Sequence, residues 1–288
     1  ISLKKWRKIE IIYRMKPGNK FDISSSRKKD LGDLAEIIAD ELFPTGIIQP
    51  NIIAEKYGIT YNCDSYGNYF DGLLECKNGR FHIFLNSDRL KNQYTERARF
   101  TLAHELGHYF IDEHRNALIY KLVDSHPSFI DFSSDNIVEL EADFFASSLL
   151  MPTTRITKDI FKRKFSFELI EEIKNKYQVS LTAALLKFAS IGNHPIMIVC
   201  SQKERIKWFK YSDDFPFQYI AAEPGFKVPT CSAAGAYHYS NTKSMDNEIV
   251  FAEDWFSVYY KQDRKRQFFE RCIYSDSSRL VLSIIWEK

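Results

Sequence analysis

The stretch Phe100-Thr-Leu-Ala-His104-Glu105-Leu106-Gly107-His108-Tyr109 decides how the chain is read. Phe100, Ala103, Gly107 and Phe110 recur at the helical period, which predicts a helix from about Tyr94 to Asp112. His104 and His108 then project from one face, one turn apart. Two imidazoles at that spacing reach a single Zn²⁺ at about 2.0–2.1 Å. Glu105, to the side of the pair, is placed to take a proton from an attacking water and pass it to a leaving amine. Residue frequencies make a chance H-E-x-x-H in this chain an event of order 0.01.

Two protein ligands leave a catalytic zinc one short. His114 is available, but its spacing from the pair fits no extended histidine motif. A stronger source is Ile137-Val-Glu139-Leu-Glu141-Ala-Asp143-Phe-Phe-Ala. Glu139 and Asp143 are four apart and share a helix face. One can bind metal while the other holds a histidine by its free ring N–H. Glu141 points elsewhere, toward solvent or a neighbouring arginine. Leu140, Ala142 and Phe144 make this helix largely apolar, which argues against a purely solvated acidic face.

Together, Phe100 to Tyr109, then Glu139-x-x-Ala142-Asp143-x-Phe145-Ala146, then Leu149-Leu-Met-Pro152 resemble the ImmA/IrrE family of zinc metallopeptidases. Asp71-Gly72-Leu73 and Leu85-Asn86 fit the same resemblance, which covers roughly residues 30–155. It implies His104, His108 and Glu139 as metal ligands, with Glu139 preferred over Glu141. It implies Glu105 as general base and Asp143 as support for a ligand histidine. The implied fold is α+β, a zincin-like core of helices and a small sheet. The implied cofactor is Zn²⁺. The implied partner is a specific protein substrate, commonly a helix-turn-helix transcriptional repressor in mobile-element or stress-response regulation.

Around this core the chain divides into a basic segment 1–28, a metallopeptidase domain 29–155, a helical segment 156–191 and a C-terminal α/β domain 192–288. Helices are expected over 30–43, stopped by Pro44, and over about Asn51–Tyr57, stopped by Gly58. Ile59-Thr-Tyr, Gly72-Leu-Leu-Glu-Cys and Arg80-Phe-His-Ile-Phe-Leu-Asn read as strands, with Asn78-Gly79 as a hairpin turn. Residues 113–134 read as a loop with a Ser133-Ser134-Asp135 helix cap at its end, before a helix Asn136–Leu150. The strand Phe81–Leu85 has two equal readings: a sheet edge that would hold an extended peptide by strand addition, or an ordinary paired strand. His82 reads as a strand side chain. Tyr109, Tyr120, His114 and His126 are the donor types near enough in sequence to stabilise an oxyanion.

Residues 167–190 form a helix-turn-helix pattern with Ser180 as a cap. Its second helix offers little beyond Thr182 and Lys187 to a base edge, so a packing pair is the better reading. The C-terminal part mixes helix and strand. In relatives within the resembled family this position can hold a GAF-like sensor or regulatory module. Trp208, Phe209 and Tyr211 read as core, Cys231-Ser-Ala-Ala-Gly-Ala as a small-residue turn, and the basic run Lys261–Arg266 as part of a helix.

Forty basic against 38 acidic residues give a net charge of +2, which argues against a global electrostatic grip on nucleic acid. No apolar run approaches the ~20 residues of a membrane span. The first residues lack the apolar region of a secretory signal. Five scattered cysteines without a CxxC read as reduced thiols, and the expected setting is cytoplasmic. The competing class is a non-enzymatic DNA-binding or stress-sensing regulator with a structural or vestigial zinc site. A structural site needs no general base and closes its fourth position, so Glu105 beside the ligands argues against it.

Overall fold

Asn78 and Gly79 both take positive φ, 52° and 75°, as the two central positions of a tight hairpin require. They join β2 (Gly72–Lys77) to β3 (Arg80–Asn86), the centre of the first sheet of an α+β chain. This computed structural model describes residues 23–123, 125–129, 136–191, 194–217, 220, 225–276 and 278–288. The basic segment through residue 22 and the Ser133-Ser134-Asp135 cap lie outside them, as does the side chain of His126. The described residues fall into two compact units that meet in sequence between Ala184 and Leu185.

In the first unit β1 (Thr60–Asp64) runs parallel to β3, and β2 pairs antiparallel with β3 and with β4 (His126–Ser128), in the order β1-β3-β2-β4. The helices are α1 (Ser25–Leu42), α2 (Pro50–Lys56), α3 (Ser87–Leu90), α4 (Glu96–Phe110), α5 (Asp112–Ile119), α6 (Ile137–Leu150), α7 (Thr153–Ile160), α8 (Phe167–Tyr177) and α9 (Leu181–Ile191). Leu31, Ala35, Ile38 and Ala39 of α1 are buried at helical spacing. Helix α6 packs against both α1 and α4, and α4 lies on β2 and β3. The pair α8–α9 has Ser180 accepting from the Ala183 N–H at 3.1 Å, the cap the sequence predicts.

Two expectations fail here. The strand Phe81–Leu85 is no edge: β3 is bonded on both sides, and the outer strands of this sheet are β1 and β4. The hydrophobic run Phe81-His-Ile-Phe-Leu could not reveal the parallel partner β1, because that partner lies about twenty residues away in sequence. Residues 113–134 are not all loop. Helix α5 starts there on Asp112 and Glu113, acids suited to a helix N-terminus, and buries His114 and Leu118 four apart. Strand β4 is too short, and too marked by Pro127, to read as a strand alone.

The second unit is an antiparallel sheet of β5 (Ile196–Gln202), β6 (Arg205–Tyr211), β7 (Glu248–Phe251), β8 (Gln267–Ser275) and β9 (Leu280–Glu287), in the order β6-β5-β9-β8-β7. Met197, Val199, Phe209, Phe268, Val281 and Ile285 form a core with Trp255 and Phe256. Trp208 and Phe209 are buried, as expected. Of the stretch read as a small-residue turn, Cys231 does lie in a turn, but from Ala233 onward it is helix α10 (Ala233–Ser240), with Ser232 accepting from the Gly235 N–H at 2.9 Å. The basic run is not an α-helix. Lys261–Asp263 make one 3₁₀ turn. A short helix α11 (Ala252–Trp255) precedes it.

Glu270 on β8 is fully buried in this core. Its carboxylate accepts from Ala233 N (2.9 Å), Ala234 N (3.3 Å), Ser283 Oγ (2.8 Å) and Trp255 Nε1 (3.4 Å). Burial nevertheless holds this carboxyl above its ordinary range, against the lowering effect of those donors. All five cysteines are free thiols. Among the described residues no helix is long and apolar enough to cross a membrane.

Candidate metal centre

Helix α4 begins where Thr95 accepts from the Ala98 N–H at 3.0 Å, and α6 where Asn136 accepts from the Val138 N–H at 3.1 Å. These two helices supply the site. They approach closely because residue 107 is glycine. A Cβ there would stand 3.2 Å from the Ala142 Cα, the Ala142 carbonyl oxygen and Phe145 Cδ1. That approach sets Glu139 opposite His104 and His108.

The three side chains are buried, and their ligand atoms lie within 4.8 Å of one another. His104 Nε2 and His108 Nε2 are 3.0 Å apart. Glu139 spans the pair, with Oε2 3.4 Å from His104 Nε2 and Oε1 3.4 Å from His108 Nε2. A tetrahedral ion with bonds of ~2.0–2.1 Å holds its ligand atoms roughly 3.3 Å apart. Two nitrogens and one carboxylate at this spacing therefore fit one face of such a tetrahedron. The donor set also suits a borderline cation such as Zn²⁺, and no fourth side chain closes the cluster among the described residues.

The two histidines are perturbed in opposite directions. Burial lowers His104, but hydrogen bonds to Asp143 and Glu139 and the charges of Asp143 and Glu105 more than reverse this, and its pKa rises well above the usual histidine value. Burial pushes His108 down to about 3, with the charge of the neighbouring histidines adding to the effect. The two imidazoles thus differ, His104 holding a proton more firmly than an ordinary histidine and His108 less firmly.

Asp143, one turn after Glu139, receives the rear of His104: Nδ1 to Oδ1 is 2.8 Å. Glu105 is fully buried and faces β2. A Cβ at Gly72 would come within 2.6 Å of Glu105 Oε1 and 2.5 Å of Thr101 Cγ2. Only glycine leaves that carboxylate its room. Neighbouring Asp71 is fully buried and bonded to Arg89 Nε (2.6 Å) and Arg97 Nη2 (2.8 Å), which pins the start of β2 beside the helix.

The remaining candidates lie elsewhere. His82 bonds Thr60 Oγ1 at 2.6 Å and Asn62 Oδ1 at 2.9 Å, as a strand side chain. Tyr109 packs edge-on against Tyr57, Phe81 and Phe110, and Tyr120 is exposed. His114 stands behind His108, with the two Nδ1 atoms 3.2 Å apart, and its Nε2 is 3.3 Å from Glu141 Oε2. Glu141 meets an arginine as expected: Arg27 bonds it through Nε at 3.0 Å and Nη2 at 2.6 Å. Burial alone would raise Glu141, but His114 and Arg27 hold it below the usual carboxylate range. The sequence signal for His114 was its place six residues past His108, which only the turn into α5 converts into a contact.

Residues 70–188, which hold the whole cluster, match the family model described as Peptidase M78, IrrE N-terminal-like domain. That region is similar to the M78 peptidase family over somewhat less than half of the chain. The M78 match takes in β2 through most of α9, so it includes helices α7 and α8, which the sequence reading set apart as 156–191. A solved structure titled as a Mycobacterium tuberculosis transcriptional regulator is similar over 92% of this chain and 77% of its own, with 9% identity and a TM-score of 0.55. At that identity the likeness is one of fold. No curated protein matches the chain.

Proposed function

We propose that the chain is a zinc-dependent endopeptidase acting on a specific protein. The observation that carries the reading is the tetrahedral spacing of His104, His108 and Glu139, with Glu105 of the same helix beside them. His104 Nε2, His108 Nε2 and a Glu139 oxygen would hold the ion, and Asp143 would fix the ring of His104. Zinc bound there supplies Lewis acidity toward a water and a peptide carbonyl. Glu105 accepts the proton of the attacking water and returns it to the leaving amine. Its burial against Gly72 keeps the carboxylate in one orientation and excludes bulk water from the proton path.

The protein substrate, and a helix-turn-helix repressor as its kind, rest on the family resemblance. The two outer strands β1 and β4 replace β3 as the places where an extended chain could add to the first sheet. A Glu105→Gln variant tests the reading. It should bind Zn²⁺ like the wild type and retain from native extract a protein that only zinc-loaded wild type cuts. DNA retained without any cleavable protein would move the assignment to a regulator.

A further inference from the structure

Both ligand histidines turn Nε2 toward the cluster and Nδ1 away from it. Behind His104 stands a carboxylate, Asp143. Behind His108 stands another imidazole, His114. A histidine that offers the Nε2 lone pair to a cation carries its ring proton on Nδ1. His108 must therefore donate from Nδ1, and His114 must accept at its own Nδ1. The ring hydrogen that His114 itself donates then sits on Nε2, 3.3 Å from Glu141 Oε2, which accepts it. Glu141 also accepts from Arg27, whose Nη2 reaches Glu113 Oε2 at 3.2 Å. The chain of donors has one direction, from His108 to His114 to Glu141. The opposite direction would place the His108 proton on Nε2, facing His104 Nε2 at 3.0 Å, and would close that nitrogen to a metal.

We propose that His114 and Glu141, braced by Arg27, are positioning residues of the metal centre: they fix the Nδ1–H tautomer and the ring plane of His108. This rests on the metallopeptidase reading. The two ligand histidines are thus supported differently, His104 by a carboxylate directly and His108 by a carboxylate acting through a second imidazole. Three elements meet in the second support. Helix α5 brings His114, α6 brings Glu141 and α1 brings Arg27. Ile111 both ends α4 and starts α5, so the distance between His108 and His114 is set by one tight joint.

The test uses the full chain with His114→Phe and Glu141→Gln. Zn²⁺ affinity is read by competition with a chromogenic chelator, and geometry by the visible spectrum of the Co²⁺ form. His114→Phe should weaken Zn²⁺ binding by about 10–100-fold and shift the Co²⁺ bands. Glu141→Gln keeps an amide oxygen able to accept from His114, so its loss should be the smaller of the two. That graded order, with metal-free melting temperatures close to wild type, is not what a folding defect produces. Both variants binding within about twofold of wild type, with unchanged Co²⁺ spectra, would overturn the proposal. Should His114→Phe not fold, the ¹⁵N-histidine spectrum of zinc-loaded wild type decides. A His108 proton on Nδ1, bonded to His114, supports the relay, and its absence there overturns it. A wild type that binds neither ion would instead remove the metallopeptidase reading, and the relay with it.

Discussion

Gly72 is the residue at which the smallest change should do the most local damage. A methyl group there meets Thr101 Cγ2 at 2.5 Å and Glu105 Oε1 at 2.6 Å. Thr101 cannot swing aside freely, because its hydroxyl donates to the Arg97 carbonyl at 2.9 Å. Gly72→Ala should therefore displace the Glu105 carboxylate and cost about 1–3 kcal/mol of overpacking strain. Peptidase activity should fall far more than Zn²⁺ affinity, since none of the three ligands moves. Glu105→Gln should show the purer form of that split, with kcat down by about 10²–10⁴ and metal content unchanged. Paired metal titrations and turnover assays on the two variants check both expectations. The H-E-x-x-H pattern is legible at this scale because one helical turn fixes its geometry. The role of Gly72 is not, since a glycine at the start of a strand carries no mark of what lies over it.

Helices α4 and α6 form the site only as a pair, and Gly107 sets their separation. Gly107→Ala would bring two opposing effects. Helix propensity improves by about 1 kcal/mol. A Cβ 3.2 Å from the Ala142 backbone and Phe145 forces the helices apart, at about 1–3 kcal/mol. The melting temperature should then fall modestly, while Zn²⁺ affinity falls more, because separation moves Glu139 from both histidines. An unchanged affinity in a chelator competition would show that the crossing tolerates a methyl group. Long elements with clear periodicity were readable: the expected helix at 94–112 is Glu96–Phe110, and that at 136–150 is Ile137–Leu150. What escaped the sequence were pairings between distant segments and some of the elements under nine residues. The parallel neighbour of β3, the three-residue β4 and the helix at Asp112 all belong to that class. The acids of α6 illustrate the limit well. Their face-sharing was visible, but Glu141 could be assigned to His114 only once α5 existed.

At the scale of the whole chain the described residues divide into two units at Ala184 and Leu185, inside α9. Zinc bound at 100 times its Kd adds about 2.7 kcal/mol to the state that holds it. In calorimetry, Zn²⁺ should raise the transition of the metal-bearing unit, and Glu270→Gln should lower that of the other. The glutamine amide would face backbone N–H groups of α10 that the carboxylate now accepts, leaving buried donors opposed at about 1–3 kcal/mol. The pH dependence separates this cause from general loosening. Burial raises the Glu270 carboxyl above its ordinary 4.5, so the folded state holds that proton more tightly than the unfolded state does. The unfavourable share of the ionised group therefore shrinks as pH falls from neutral toward 4.5. The glutamine of the variant has no such proton, and so the wild type should gain stability over the variant through that window. A constant gap between the two proteins would place the cost of the substitution in packing alone. A single transition that moves under both zinc and Glu270→Gln would show that the two units unfold together.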